Sequence, residues 1–326
     1  MNLRARPGAR GRCARAALAM LGRTAARPVT RPVARVKPAS MLVLATCCVA
    51  VLPATAVRSA SPVAPEAAQR IVSLAPNLTE LAFSAGAGER IVGTVEYSDR
   101  PEAARHIPHI GDAFRVDYER VLALRPDAVL VWDSGTSAAT IERLQGLGLR
   151  VVPIATHRID DVAEAVRRIG RLAGTGAVAE DAARRYEQDM QALRERYRHR
   201  ASVSVFLQVN DRPLYTVNGK QIMSELVELC GGRNVFAYLD ELAPAVGIEA
   251  VIAENPQVIL STDYTVPDAQ ESWRKWRHIT AVRLGNVYTL PSDDIARATM
   301  RLTQGAQEVC RTLDRARARL RSAVRP

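Results

Sequence analysis

Two apolar patterns alternate along this chain. Compact apolar runs bounded by turn residues predict strands at 70–74, 91–95, 128–132, 150–154, 203–208, 214–217, 257–261 and 287–290. Segments with apolar positions three and four apart predict helices at 77–85, 117–124, 140–147, 160–172, 176–200, 224–230, 247–254 and 299–323. Asn77, with Glu80 three residues on, reads as a capping-box variant opening the first helix. Gly174 and the pair Gly231-Gly232 read as helix stops. Strand and helix alternate once over 69–174 and again over 201–326, so two doubly wound α/β lobes with parallel sheets are expected.

Between them lies a long helical segment, 176–200. Val178, Ala182, Tyr186, Met190, Leu193 and Tyr197 form one apolar stripe, and Glu180, Asp181, Arg184, Arg185, Glu187, Asp189, Arg194 and Glu195 occupy the other faces. Such a helix is roughly 35 Å long, the span of a small domain. It reads as one stiff rod joining the two lobes across a cleft, against the plainer alternative of a surface helix within one domain. Residues 116–132 and 246–262 also align at a constant offset of 130: an acid, a helical turn, a proline, then a buried strand. Two lobes built alike would place Glu119 and Glu249 at equivalent points, one on each.

The formal charge of +11 changes little. Residues 1–60 hold eleven bases and no acid, so the rest of the chain is balanced, and no bulk basic field for nucleic acid remains. The basic run leads into the apolar stretch 41–53 and then small residues at Ala54, Ala56, Ser59 and Ala60, the arrangement of a cleavable export signal. Leu44-Ala-Thr-Cys47 is a poor lipid-attachment box, because a small residue is wanted directly before the cysteine. Cleavage rather than lipidation is therefore expected. Cys13, Cys47 and Cys48 fall in this leader, which leaves Cys230 and Cys310. In an oxidising compartment these two have one possible pairing, closing a loop of roughly 80 residues at ~4 kcal/mol of stabilisation; two buried free thiols are the alternative.

Catalytic signals are weak. The chain has no nucleotide-type glycine loop and no nucleophile elbow. His106 and His109 could ligate a metal on a helix, but Pro108 between them argues for a loop. An enzyme reading would need that pair or His157. The strand ends offer something else. Open α/β sheets bind ligands beyond the carboxyl ends of their strands, and Tyr97, Trp132, Tyr215, Asp293 and Arg297 all lie near such ends. Flat rings with a few polar groups suit a large, partly apolar ligand.

Residues 70–83 (Arg70-Ile-Val-Ser-Leu-Ala-Pro-Asn-Leu-Thr-Glu-Leu-Ala-Phe83), 95–101 (Val95-Glu-Tyr-Ser-Asp-Arg-Pro101) and 119–127 (Glu119-Arg-Val-Leu-Ala-Leu-Arg-Pro-Asp127) resemble the substrate-binding proteins of ABC importers for cobalamin, haem and iron–siderophores. Support continues through 205–208, Gly219-Lys220, 228–236 and 292–297, covering essentially all of 69–320. The resemblance is strongest to the cobalamin-binding branch. It implies two α/β lobes joined by one long helix. It implies Tyr97 as a ligand-stacking ring, Trp132 and Tyr215 as cleft rings, Asp293 and Arg297 as a ligand-contacting polar pair, and Cys230–Cys310 as a disulfide. It further implies Glu119 and Glu249 as the surface acids that meet arginines of the permease dimer. A periplasmic monomer is expected, binding cobalamin or a related corrinoid without altering it, needing no cofactor, and delivering it to the ABC permease. Haem or a ferric siderophore is the alternative ligand, and a secreted metal-dependent enzyme a more distant reading. The chain departs from the branch at Ala113, where Phe114 stands beside an absent tryptophan and becomes a candidate ligand contact, and at Ala243, where a second large ring is missing.

Overall fold

The computed structural model describes residues 66–112, 115–266 and 268–324. The expected leader at 1–60 and Phe114 lie outside the described residues. The first half contains β1 (Ile71–Ser73), α1 (Pro76–Ser84), β2 (Ile91–Gly93), α2 (Tyr118–Ala123), β3 (Ala128–Trp132), α3 (Ala138–Gly146), β4 (Val151–Ile154) and α4 (Asp161–Ala173). Its strands form one parallel sheet in the order β2-β1-β3-β4. The long helix α5 (Gly176–Tyr197) follows. The second half contains β5 (Val203–Gln208), α6 (Ile222–Leu229), β6 (Gly232–Asn234), α7 (Ile248–Glu254), β7 (Val258–Thr262), α8 (Ala269–Trp273), α9 (Thr280–Arg283), β8 (Val287–Leu290), α10 (Ser292–Ile295) and α11 (Leu302–Val324). Its sheet is again parallel, in the order β6-β5-β7-β8. The architecture is two α/β lobes joined by one backbone helix.

The lobes are built alike in detail. α2 and α7 start 130 residues apart, as do β3 and β7. Arg125 and Asn255, also 130 apart, both adopt left-handed backbone (φ 45° and 42°), and Pro126 and Pro256 follow. A left-handed residue ends each helix, and the proline commits the chain to extended structure leading into a buried strand.

Side-chain alternation divides each sheet between two apolar clusters. In β3, Ala128 and Leu130 point into a cluster shared by both lobes, whereas Val129 and Val131 point into one belonging to the first lobe. In β7, Val258 and Leu260 join the shared cluster and Ile259 the second lobe's own. α5 contributes Ala179, Ala183, Tyr186, Met190, Leu193 and Tyr197 to the shared cluster. The helix is thus packed as an internal rod.

Its buried stripe differs from the expected one in the first two turns: Ala179 and Ala183 are buried, Val178 is exposed and Ala182 only partly buried. The expected spacing of four, four, four drifts around a 3.6-residue helix, and close approach to α4 selects alanine instead. A Cβ placed on Gly170 of α4 would meet the Ala179 Cβ at 2.2 Å, so only glycine fits there. Arg167 of α4 reaches both Glu180 (2.8 Å) and Glu187 (2.5 Å) of α5. Hydrogen bonding to Arg167 holds both carboxyls below their ordinary range.

Other expectations are corrected. Residues 214–217 form no strand: Tyr215 makes isolated bridges to Asn210 and Ala245, and Pro213 precedes a stretch whose hydrogen bonds go to loop carbonyls. β6 was not expected, because Gly-Arg-Asn carries no strand signal and pairs only as an edge to β5. α1 has no Asn77 cap. Pro76 occupies the first helical position, where its missing N–H costs nothing, and Asn77 lies inside the helix and buried.

Cys230, at the end of α6, is disulfide-bonded to Cys310 of α11, with a sequence separation of 80. Cys230→Ser with Cys310→Ser is expected to cost roughly 4 kcal/mol by freeing that loop in the unfolded chain, and to lower the melting temperature by roughly 10 °C. Calorimetry on the double variant and on wild type with and without reductant checks this; a loss below ~1 kcal/mol would show that the bridge constrains little.

Candidate functional site

The carboxyl ends of both sheets converge on one cavity of about 700 Å³, within the range of roughly 300–1,000 Å³ typical of ligand sites. Leu74 to Asn77 enter it after β1, Tyr97 after β2, and Trp132, Gly135 and Thr136 after β3. From the second lobe come Val209 after β5, Thr262, Tyr264 and Thr265 at the end of β7, and Ser292, Asp293 and Ala296 to Ala298 after β8. The two turns following β3 and β7 are the equivalent ones, so the repeat itself makes the walls face one another.

Of the residues flagged from sequence, the fold brings Tyr97, Trp132, Asp293 and Arg297 together around this cavity. Tyr215 is half-buried in the loop after β5 and is not among the lining residues. Tyr97 is held with left-handed backbone (φ 65°), which is strained for a ring-bearing residue, and the residue is 68% exposed. Trp132 lies over Gly135: a Cβ there would come within 2.0 Å of the indole, so glycine is what lets the ring fold back over the turn. The Trp132 backbone N–H donates to Thr136 Oγ1 at 3.1 Å. Trp132 Nε1 and Asn77 Nδ2 are buried without a hydrogen-bond partner among the described residues. Unused buried donors cost roughly 1–3 kcal/mol each, so they mark places where an acceptor is favoured.

Sequence reasoning passed over Tyr264. It stands two residues past β7, near a strand end as Trp132 is, and the same strand-end rule would have found it. Glu80, read from sequence as a local cap, has a different task. Glu80 of α1 is buried, and two arginines of the other lobe converge on it. Arg297 Nη1 donates to Oε1 at 2.8 Å and Arg301 Nε to Oε2 at 3.0 Å. Arg297 also pairs with Asp293 at 3.0 Å and lies 3.8 Å from Asp99, and Arg301 pairs with Asp294 at 3.0 Å. Burial pulls the Arg301 pKa down, but the Glu80 hydrogen bond and the pull of Glu80, Asp294 and Asp293 outweigh it, so the guanidinium is held charged. Four carboxylates therefore surround two guanidiniums. Arg297, expected as a ligand contact, is also committed to an interlobe tie.

Glu119 and Glu249 lie in the first turns of α2 and α7, exposed and without an ion-pair partner among the described residues. His157 contacts Asp133 at 3.0 Å but does not line the cavity, and His106 and His109 are exposed. Among the described residues, no group of three or more His, Cys, Asp or Glu side chains is placed to hold a metal ion.

The periplasmic binding protein family matches residues 71–294. The vitamin B12-binding protein of Vibrio campbellii is 34% identical over 244 residues, covering 74% of this chain and 88% of that protein. The vitamin B12-binding protein of Yersinia pestis is 32% identical over 250 residues, covering 76% and 87%. Among solved structures, the periplasmic vitamin B12 binding protein BtuF of Vibrio cholerae superposes with a TM-score of 0.72 at 31% identity, over 77% of this chain and 98% of that one. The periplasmic haem-binding protein RhuT of Roseiflexus superposes with a TM-score of 0.69 at 22% identity, over 76% and 98%, and shares the fold. The chain belongs to the periplasmic binding protein family.

Glu80→Gln keeps the shape and removes the charge that both arginines share. It is expected to lower the unfolding free energy by roughly 2–3 kcal/mol, below the full range for buried pairs because the arginines are partly exposed. Urea denaturation measures it, and a loss under ~0.5 kcal/mol would reduce the tie to an ordinary surface bridge.

Proposed function

We propose, on that membership and on the cleft, that the chain is the periplasmic capture component of an ABC importer and that its ligand is cobalamin or a closely related corrinoid. In this reading residues 69–174 and 201–326 act as the two lobes and 176–200 as their link. The observation that carries the reading is the cavity itself: Tyr97, Trp132 and Tyr264 supply ring surface from both lobes, while Arg297, the cation among the lining residues, is already paired with Glu80 and Asp293. The relatives named for vitamin B12 support the choice of ligand.

Charge distinguishes the corrinoid from its rivals. A corrin ring is fringed with neutral amides, whose N–H groups would donate to Asp293 at the cavity wall. Haem brings propionates and most ferric siderophores bring net negative charge. Those anions would meet four carboxylates and two guanidiniums that are already paired. One observation favours haem, namely that the Tyr97 and Tyr264 rings stand exposed at the cavity with hydroxyls able to approach an iron. A cobalt corrinoid needs no such donor, and the charge argument outweighs it.

The ligand is released unaltered in this reading; among the described residues that line the cavity there is no histidine, cysteine or lysine. Phe114, beside the cleft loop in sequence, and Tyr215 remain candidate contacts. Glu119 and Glu249, one on each lobe at equivalent points, are the docking acids for the permease dimer. As exposed charges they would orient and accelerate docking more than tighten it.

Titration with cyanocobalamin, haemin and a ferric siderophore, read by absorbance and melting temperature, tests the ligand. Cobalamin at a hundred times its Kd is expected to stabilise by ~2.7 kcal/mol, or roughly 5–10 °C, and to be recovered with unchanged mass. Preferential stabilisation by haemin would replace the corrinoid reading. Glu119→Ala with Glu249→Ala is expected to cut uptake by a reconstituted permease while leaving cobalamin affinity within about twofold; undiminished uptake would remove the docking role.

A further inference from the structure

Tyr264 has no structural task that would explain its ring. The residue is 78% exposed, more than any other exposed large apolar residue described. The equivalent turn of the first lobe, 130 residues earlier, carries Ser134 and forms the same way. Thr136 N–H donates to the Trp132 carbonyl at 2.8 Å, and Val266 N–H donates to the Thr262 carbonyl at 3.0 Å. The turn thus needs no ring to fold.

Nor is the ring exposed because its turn is loose. Asp263 N–H donates to the Leu290 carbonyl at 3.1 Å, Ser292 N–H donates to Asp263 Oδ1 at 2.8 Å, and Thr265 Oγ1 donates to the Val209 carbonyl at 2.5 Å. A pinned turn therefore presents a bare aromatic face to the cavity that Tyr97 and Trp132 line from the other lobe. The same residue borders an adjoining polar pocket with Arg100, Asp263, Asp294 and Arg301, so the ring stands between an apolar and a polar compartment.

We propose that Tyr264 is the second lobe's wall of a preformed aromatic clamp, stacking on a planar macrocycle that Tyr97 meets from the first lobe. The proposal rests on the corrinoid reading above. Stacking on a preorganised ring adds to area burial at little entropic cost, because the turn is already ordered.

The test compares cyanocobalamin affinity by fluorescence quenching in wild type, Tyr264→Ser, Tyr264→Phe and Tyr97→Ser, with apo melting temperatures alongside. Serine copies the equivalent turn, so apo stability is expected to be unchanged. Tyr264→Ser should weaken cobalamin roughly tenfold, and Tyr264→Phe should stay within about twofold. If Tyr264→Ser binds as wild type does while Tyr97→Ser is weakened, the clamp is overturned and the corrinoid reading stands. If wild type binds no cobalamin, the reading falls and the clamp with it. Should the serine variant lose stability, Tyr264→Leu, which keeps apolar bulk without a flat face, decides: weakened binding supports the clamp and wild-type binding overturns it.

Discussion

A buried carboxylate shared by two arginines of the opposite lobe holds this molecule's geometry. Glu80 enters from the first lobe on α1, and Arg297 and Arg301 enter from the second, between α10 and α11. Desolvating three charges is unfavourable unless each is matched, and here both carboxylate oxygens accept and each guanidinium finds a further acid. The pairing is possible only at one relative placement of the lobes. A second tie repeats the logic elsewhere: Glu225 of α6 accepts from the Ile159 N–H at 2.8 Å and from Arg158 at 3.2 Å. Together with the apolar cluster threaded by α5, these ties make the cleft a preformed slot rather than a hinge waiting to close.

Preformation has a thermodynamic meaning. A slot that exists before its ligand arrives loses little conformational entropy on filling, so ring stacking can appear as affinity instead of being offset by ordering. Strain at Tyr97 and the bare ring of Tyr264 are tolerated within that frame. Neither would persist on a loop free to collapse onto itself.

The internal repeat explains where the slot is. Each half ends a short helix with a left-handed residue, passes through a proline and enters a buried parallel strand. The chain leaving that strand at Trp132 or Thr262 must turn at the sheet's carboxyl edge. Duplicating the unit duplicates the turn, and packing both halves on one rod sets the two turns face to face. The lobes then diverge in what they place there, an indole folded over glycine in one and a tyrosine on a pinned turn in the other.

Much of this was legible in the linear order of residues, because apolar periodicity and turn chemistry are local. β3, β5 and β8 fall where the apolar runs lie, α5 where the long amphipathic segment lies, and the 130-residue echo predicted the equivalence of α2 and α7. What remained hidden depended on neighbours distant in the chain. Which alanines of α5 are buried was decided by a glycine on α4. β6 exists only because β5 offers it an edge. Glu80 read as a local cap, yet its partners lie more than 200 residues away. A carboxylate at one helix start can satisfy its own backbone or a remote guanidinium with equal ease as far as sequence shows. Only the meeting of two lobes decides between them.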